Sequence, residues 1–351
     1  RLQPYNLIKT HKMNDETKTT ESTPTTTATT VNSDEGITTD APLLLTNDTT
    51  TATSSTLTAE ADTLKLQREQ TTAQMNAIES EIRETQPLTS LPLPLSDLVQ
   101  HYANDADTNS SAFNHTNLFL KGALYLCGKY DKYRKIRGDG NCYYRAFLYS
   151  LVEDLLRRLK NGVEGAKEEL TRLQTFAKES MKTCTQVYGY DEFALEMFHE
   201  EFLDLINSLS KWDTITQADL HKRLTQEGGT SEYCTWYLRV LTACQLKSDP
   251  DRFTSFICFA EDDPSSSDTG NVDGAMDINT YCTRVVEPMG KECGMVQVIA
   301  LAESMGVNVS IEYLDGRDFD ENRGLMVHKF VGCDTKVERK VGISHVTLLY
   351  R

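Results

Sequence analysis

Basic charge is scarce in this chain: 36 Lys and Arg stand against 52 Asp and Glu, a formal net charge of −16. That deficit argues against a nucleic-acid partner and against an anionic membrane surface, since both bind through Lys and Arg. Also missing is any C-x-x-C spacing among the nine cysteines, an odd number. The pattern disfavours a secreted disulfide framework and a structural zinc site. No apolar run approaches the roughly 20 residues that span a bilayer. The segment from Arg1 to Lys12 lacks the apolar core of a signal peptide, and Met13 is a candidate start. The expectation is a cytoplasmic protein, with the nucleus as a second compartment.

Aromatic residues are absent from Asn14 to Thr63, where 19 of 50 residues are threonine. Such a stretch buries too little apolar surface to offset its ordering entropy, so residues 1–63 are expected to form a disordered tail. Leu64 to Glu84 then carries Leu64, Met75, Ile78 and Ile82 at helical spacing, and residues 64–87 form a helical arm stopped at Pro87. A globular domain follows over residues 88–351. Helical patterns cover Ser96 to Ala103, Tyr143 to Asn161, Gly165 to Thr185, Asp191 to Leu209, Ser231 to Gln245 and Cys293 to Met305. β-rich runs come last: Val307 to Tyr313, Met326 to Val331 and His345 to Tyr350. Helices first and strands at the end predict an α+β domain with a small, mostly antiparallel sheet. Glu261 to Gly274, acidic and Ser-rich, reads as a surface loop.

Chemistry concentrates at Arg137-Gly138-Asp139-Gly140-Asn141-Cys142-Tyr143-Tyr144-Arg145-Ala146-Phe147. A tight Gly-Asp-Gly-Asn bend delivers Cys142 to the start of a strongly helical segment. At the positive end of a helix dipole a thiolate is favoured over a thiol, which suits a nucleophile. The glycine-rich turn and the helix start also gather backbone N–H donors at one point, with Gly140 and Asn141 as candidate oxyanion donors. A thiol nucleophile needs a base, and among seven histidines His345 stands out because it opens the closing strand. His328, embedded between Val327 and Lys329, reads as structural.

These residues, in this order, resemble the otubain branch of OTU-type deubiquitinating cysteine proteases. The likeness also includes Leu95-Ser96-Asp97-Leu98, Tyr130 to Ile136, Ser231 to Leu246, Val286-Glu287-Pro288-Met289, Ile299 to Ala302 and Ile311 to Asp315. It implies an OTU cysteine protease fold of the papain-like kind. The implied activity is hydrolysis of isopeptide bonds at the C-terminus of ubiquitin in conjugates and polyubiquitin, with chains joined through lysine 48 of ubiquitin favoured. By the resemblance Cys142 is the nucleophile, His345 the general base and acid, and Asp139 the residue on the oxyanion side. Ubiquitin and polyubiquitin are the implied partners, with ubiquitin-conjugating enzymes as further partners of a less active, regulatory form. No cofactor and no metal are implied. Thr347 falls where the family carries an acidic or amide residue that orients the imidazole, and alternate strand residues share a face, so Thr347 is placed to touch His345. A second register is open: Leu348-Leu349-Tyr350-Arg351 also matches the strand that precedes the family's histidine, in which case the chain stops short of it.

Overall fold

The structure is a computed structural model that describes residues 4–8, 53–108, 113–257, 276–316, 319–320, 323–332 and 343–350. It divides into two compact units, His11–Ile78 and a larger one made of Arg1–Thr10 with Glu79–Arg351. Helix α1 (Thr53–Thr85) belongs to the first unit as far as Ile78. It starts earlier than the apolar spacing predicted, and Leu66, Met75 and Ile78 lie exposed on it.

In the larger unit the helical half is built from α2 (Leu95–Thr108), α3 (Phe113–Lys129), α4 (Cys142–Lys160), α5 (Ala166–Gln186), α6 (Glu192–Ser208), α7 (Gln217–Leu224) and α8 (Thr230–Ser248). Helices α9 (Pro250–Ile257), α10 (Ile278–Tyr281) and α11 (Met295–Met305) complete it. The six helical patterns read from the sequence recur as α2, α4, α5, α6, α8 and α11. Helix α4 is the axle: Tyr144, Phe147, Leu148, Leu151, Val152, Leu155 and Leu156 are all buried. Its cationic last turn, Arg157, Arg158 and Lys160, complements the negative end of the helix. Helix α3 escaped the periodicity because Gly122 and Gly128 interrupt its apolar run. At Gly122 a Cβ would stand 2.4 Å from Leu314 Cδ1, so the glycine permits close helix–sheet contact.

The strands are β1 (Pro4–Ile8), β2 (Leu93–Pro94), β3 (Lys132–Lys135), β4 (Asn308–Tyr313), β5 (Phe319–Asp320), β6 (Gly324–Phe330) and β7 (His345–Tyr350), in the order β2-β3-β1-β7-β4-β6-β5. Pairing is antiparallel except between β4 and β7, which run parallel with Asn308 opposite His345 and Tyr313 opposite Tyr350. The α+β class expected from the element order is observed. The tail expected to be disordered over residues 1–63 departs at its beginning, because Pro4–Ile8 is a strand inserted between β3 and β7. Its run Pro-Tyr-Asn-Leu-Ile precedes the threonine-rich segment and carries an aromatic residue, which that segment lacks. The Glu261 to Gly274 loop lies outside the described residues.

Strand β3 is tied to α4 by the Arg134–Glu153 pair at 2.7 Å, with the Arg134 guanidinium 4.8 Å from the Tyr149 ring centroid. The direction of β7 relative to α4 decides which of its side chains lies nearest the start of the helix. Tyr350 is electrostatically coupled to Cys142 at the start of α4, whereas His345 lines one cavity with Ser150 and Asp154 far along it. Helix and strand therefore run antiparallel.

Candidate active site

Cys142 is the first residue of α4 and is 9 % exposed. The turn before it is held from within. Asp139 accepts the Asn141 N–H at 3.0 Å and a fork from Arg145, with Nη1 at 3.0 Å and Nη2 at 2.8 Å. Gly140 has φ +77°, and a Cβ there would lie 2.0 Å from the Gly290 carbonyl oxygen. Only glycine fits that position.

Asn141 sits at the N-cap, yet its side chain makes no capping bond to α4. The amide turns away instead: its Oδ1 accepts from Gly290 N–H at 2.9 Å and from Arg239 Nη2 at 2.9 Å. The first-turn amides of α4 are thus uncapped by their own N-cap side chain, and the Tyr143 N–H acts on the Cys142 sulfur. Donors of this kind stabilise a developing oxyanion. Of the two expected oxyanion donors, Asn141 has its N–H engaged by Asp139.

A thiolate at rest was expected and is not what the site favours. The Cys142 thiol is pushed up to about 11, first by burial and next by the Asp139 carboxylate, against the opposing pull of Arg145 and the Tyr143 N–H. A helix start lowers a cysteine pKa when the sulfur is partly solvated; here desolvation wins.

His345 is placed elsewhere. Its Nε2 lies 2.9 Å from Ser310 Oγ, and it shares a polar cavity of about 560 Å³ with Thr347, Ser310, Glu312 and Asp154. Asp154 follows Cys142 by twelve residues, about 18 Å along α4 at 1.5 Å per residue. His345 is likewise five strand steps, about 16 Å, from Tyr350. Burial lowers the His345 pKa, partly opposed by Asp154, so the site disfavours the charged imidazolium. The expectation that His345 stands beside Cys142 is thus corrected, and the cause is the antiparallel run of β7 along α4. Thr347 does share a cavity with His345, as alternate strand positions predict, but at the same far end.

Of the described residues of β7, Tyr350 is the one coupled electrostatically to Cys142. The other histidines with described side chains have other contacts. His199 Nε2 meets the Ala177 carbonyl at 2.8 Å, His221 Nδ1 meets the Tyr149 hydroxyl at 2.9 Å, and His101 packs at 5.1 Å on the Tyr102 ring. His328 packs on Tyr313 at 4.9 Å, which in turn lies 5.8 Å from Tyr350. The sheet position beside Tyr350 is filled by Pro4 of β1. Sequence reasoning missed Arg239 and Gly290; the only signal for them was the family-like runs in which Arg239 and Val286 to Met289 occur.

Known proteins share this fold. Residues 81–351 match the family model described as Peptidase C65 Otubain. The chain is 32 % identical to the rat ubiquitin thioesterase OTUB1 (Rattus norvegicus) over 80 % of this chain and 89 % of that protein. It is 28 % identical to the Arabidopsis thaliana OVARIAN TUMOR DOMAIN-containing deubiquitinating enzyme 1, over 74 % of this chain and 76 % of that one. A solved complex of h/ceOTUB1 with ubiquitin aldehyde and UBC13~Ub superimposes with a TM-score of 0.63 at 25 % identity, covering 81 % of this chain and 94 % of that one.

Proposed function

We propose, given that this chain belongs to the peptidase C65 otubain family of cysteine-type deubiquitinases, that Cys142 cleaves the isopeptide bond at the C-terminus of ubiquitin. The observation that carries the reading is the construction of the turn. A cysteine heads a buried helix whose N-cap side chain leaves the first-turn amides uncapped. Sγ gives its proton to an acceptor and attacks the carbonyl of ubiquitin's last glycine, the oxyanion faces the amides of Gly140 and Cys142, and the lysine nitrogen takes that proton and departs as the amine. The resulting thioester is then hydrolysed by water. One oxyanion donor is typically worth about 3 to 4 kcal/mol of transition-state stabilisation. Because the resting thiol is protonated, the reaction also needs a proton acceptor at hydrogen-bond distance from Sγ. His345, whose Nε2 lies 2.9 Å from Ser310 Oγ, is not the group we propose for that role. Nor does the reaction need a metal: the nucleophile and the donors come from the chain. Polyubiquitin joined through lysine 48 of ubiquitin is the proposed substrate.

The test is labelling by ubiquitin carrying a C-terminal electrophile. A covalent adduct on the Cys142 peptide, absent in Cys142→Ala, supports the reading; a folded wild-type protein that forms none would falsify it.

A second reading is favoured by a separate surface. Phe193 and Met197, one turn apart on α6, are 87 % and 58 % exposed, beside Trp236, which stacks on Phe198 at 5.5 Å. An apolar patch of this kind marks a protein-binding site. Solved relatives hold UBC13~Ub and UBCH5B~Ub, and we propose that this patch binds a ubiquitin-conjugating enzyme. Phe193→Ala should weaken that binding at least tenfold while leaving hydrolysis of a small ubiquitin substrate within twofold; unchanged binding would sink the assignment.

A further inference from the structure

We infer that Arg239 is a positioning residue for the Cys142 reaction, joining the nucleophile turn and the loop facing it into one rigid piece. The inference rests on the reading of Cys142 as nucleophile. Arg239 belongs to α8, is 1 % exposed and makes no hydrogen bond to a carboxylate among the described residues. Its acceptors are neutral and come from two distant parts of the chain. Nη2 reaches the Gly140 carbonyl at 3.0 Å, the Asn141 Oδ1 at 2.9 Å and the Lys291 carbonyl at 2.6 Å. Nη1 reaches the Val286 carbonyl at 2.8 Å. The guanidinium plane lies 4.5 Å from the centroid of the Tyr144 ring, in the first turn of α4.

A buried charge without a carboxylate partner is costly, so its hydrogen bonds must fix something. What they fix is a junction with no side chain of its own. Gly140 and Gly290 meet backbone to backbone, too close for any Cβ at Gly140. Across the same junction Gly290 N–H donates to Asn141 Oδ1, the oxygen that Arg239 also holds. Val286 ends a π-helical turn, Cys282–Val286, in which Glu287 N–H bonds back to the Cys282 carbonyl. The turn ends at Val286, and its carbonyl accepts from Arg239. Such π-turns recur at functional sites. The planar fork spreads its donors over four acceptors, Nη2 sharing its two N–H groups among three of them, whereas an ammonium is a point donor.

The consequence is an aimed sulfur. The Gly140 carbonyl and the Asn141 side chain directly precede Cys142, so slack in this tie moves Sγ and the oxyanion amides together. Misplacement of a reacting group by about 1 Å costs on the order of 100-fold in rate. Arg239 has almost no exposed surface for ubiquitin to touch, so its loss should act on kcat and not on KM.

The experiment is steady-state hydrolysis of ubiquitin bearing a C-terminal fluorogenic amide by wild type, Arg239→Lys, Arg239→Met and Asn141→Ala, with Tm recorded for each. The expected result is a fall in kcat of about 10-fold for Arg239→Lys and about 100-fold for Arg239→Met, with KM within twofold. Alkylation of Cys142 by iodoacetamide, read on its own peptide, should stay within threefold, since a small reagent does not need the aimed geometry. Asn141→Ala should fall like Arg239→Lys, and the double variant should lose less than the product of the two, because both act through one tie. If Arg239→Met does not fold, Arg239→Lys, which keeps the charge, decides alone. A folded Arg239→Lys with wild-type kcat, or one whose loss lies in KM, overturns the inference and leaves the reading of Cys142 intact. A wild-type protein with no turnover overturns both.

Discussion

The two ends of α4 make opposite use of the same helix. At its start, Cys142 stands in a turn clamped by Asp139, Arg145 and Arg239, buried and short of capping groups. Twelve residues on, Asp154 faces a polar cavity with Ser310, His345 and Thr347. Among the described residues, the start carries the proposed nucleophile with no histidine bonded to it, and the far end carries His345 bonded to Ser310. Motifs name residue types, but the sense in which a strand lies along a helix decides which types meet. A strand of six residues reversed against α4 moves its first residue by about 16 Å, more than any local relaxation restores.

The predictions that sharpen this contrast begin at the start of the helix. Cys142→Ala should abolish ubiquitin-probe labelling, a loss of at least about 1,000-fold, with Tm close to wild type. Gly140→Ala combines a disfavoured φ with a backbone clash and should cost about 2 to 3 kcal/mol or more of stability, visible in urea unfolding, as well as activity. The raised Cys142 thiol, at about 11, sets a pH dependence whose sign is fixed: below that value the thiolate fraction grows tenfold per pH unit. Iodoacetamide alkylation of Cys142 should therefore climb about tenfold from pH 7 to pH 8 and again to pH 9. A plateau below pH 8 would show an activated resting thiolate instead. The exposed Cys127 requires that the reaction be read on the Cys142 peptide. At the far end, Thr347→Asp should change turnover by less than twofold, since Thr347 lies in the His345 cavity and not beside Cys142.

Much of this was legible in the sequence. The Asp139 to Cys142 turn, the helix it opens and the three closing strands follow from glycine placement and apolar periodicity, and the element order gave the α+β class. Four things were not. Strand β1 comes from a segment remote in sequence from both its neighbours, and composition cannot announce such pairing. Arg239 lies inside the helical pattern Ser231 to Gln245 with nothing local to single it out, and only the fold brings it to Gly140 and Lys291. The thiol pKa is a balance of burial against dipole, and burial is a tertiary property. Histidine position was the hardest, because His345 satisfies every local criterion for a base and fails only on direction.

The most direct test compares His345→Ala with wild type and Cys142→Ala in probe labelling by a ubiquitin C-terminal electrophile. The structure predicts that His345→Ala labels within about twofold of wild type, while Cys142→Ala does not label. Loss of labelling in a folded His345→Ala, approaching that of Cys142→Ala, would contradict the placement of the two groups at opposite ends of α4.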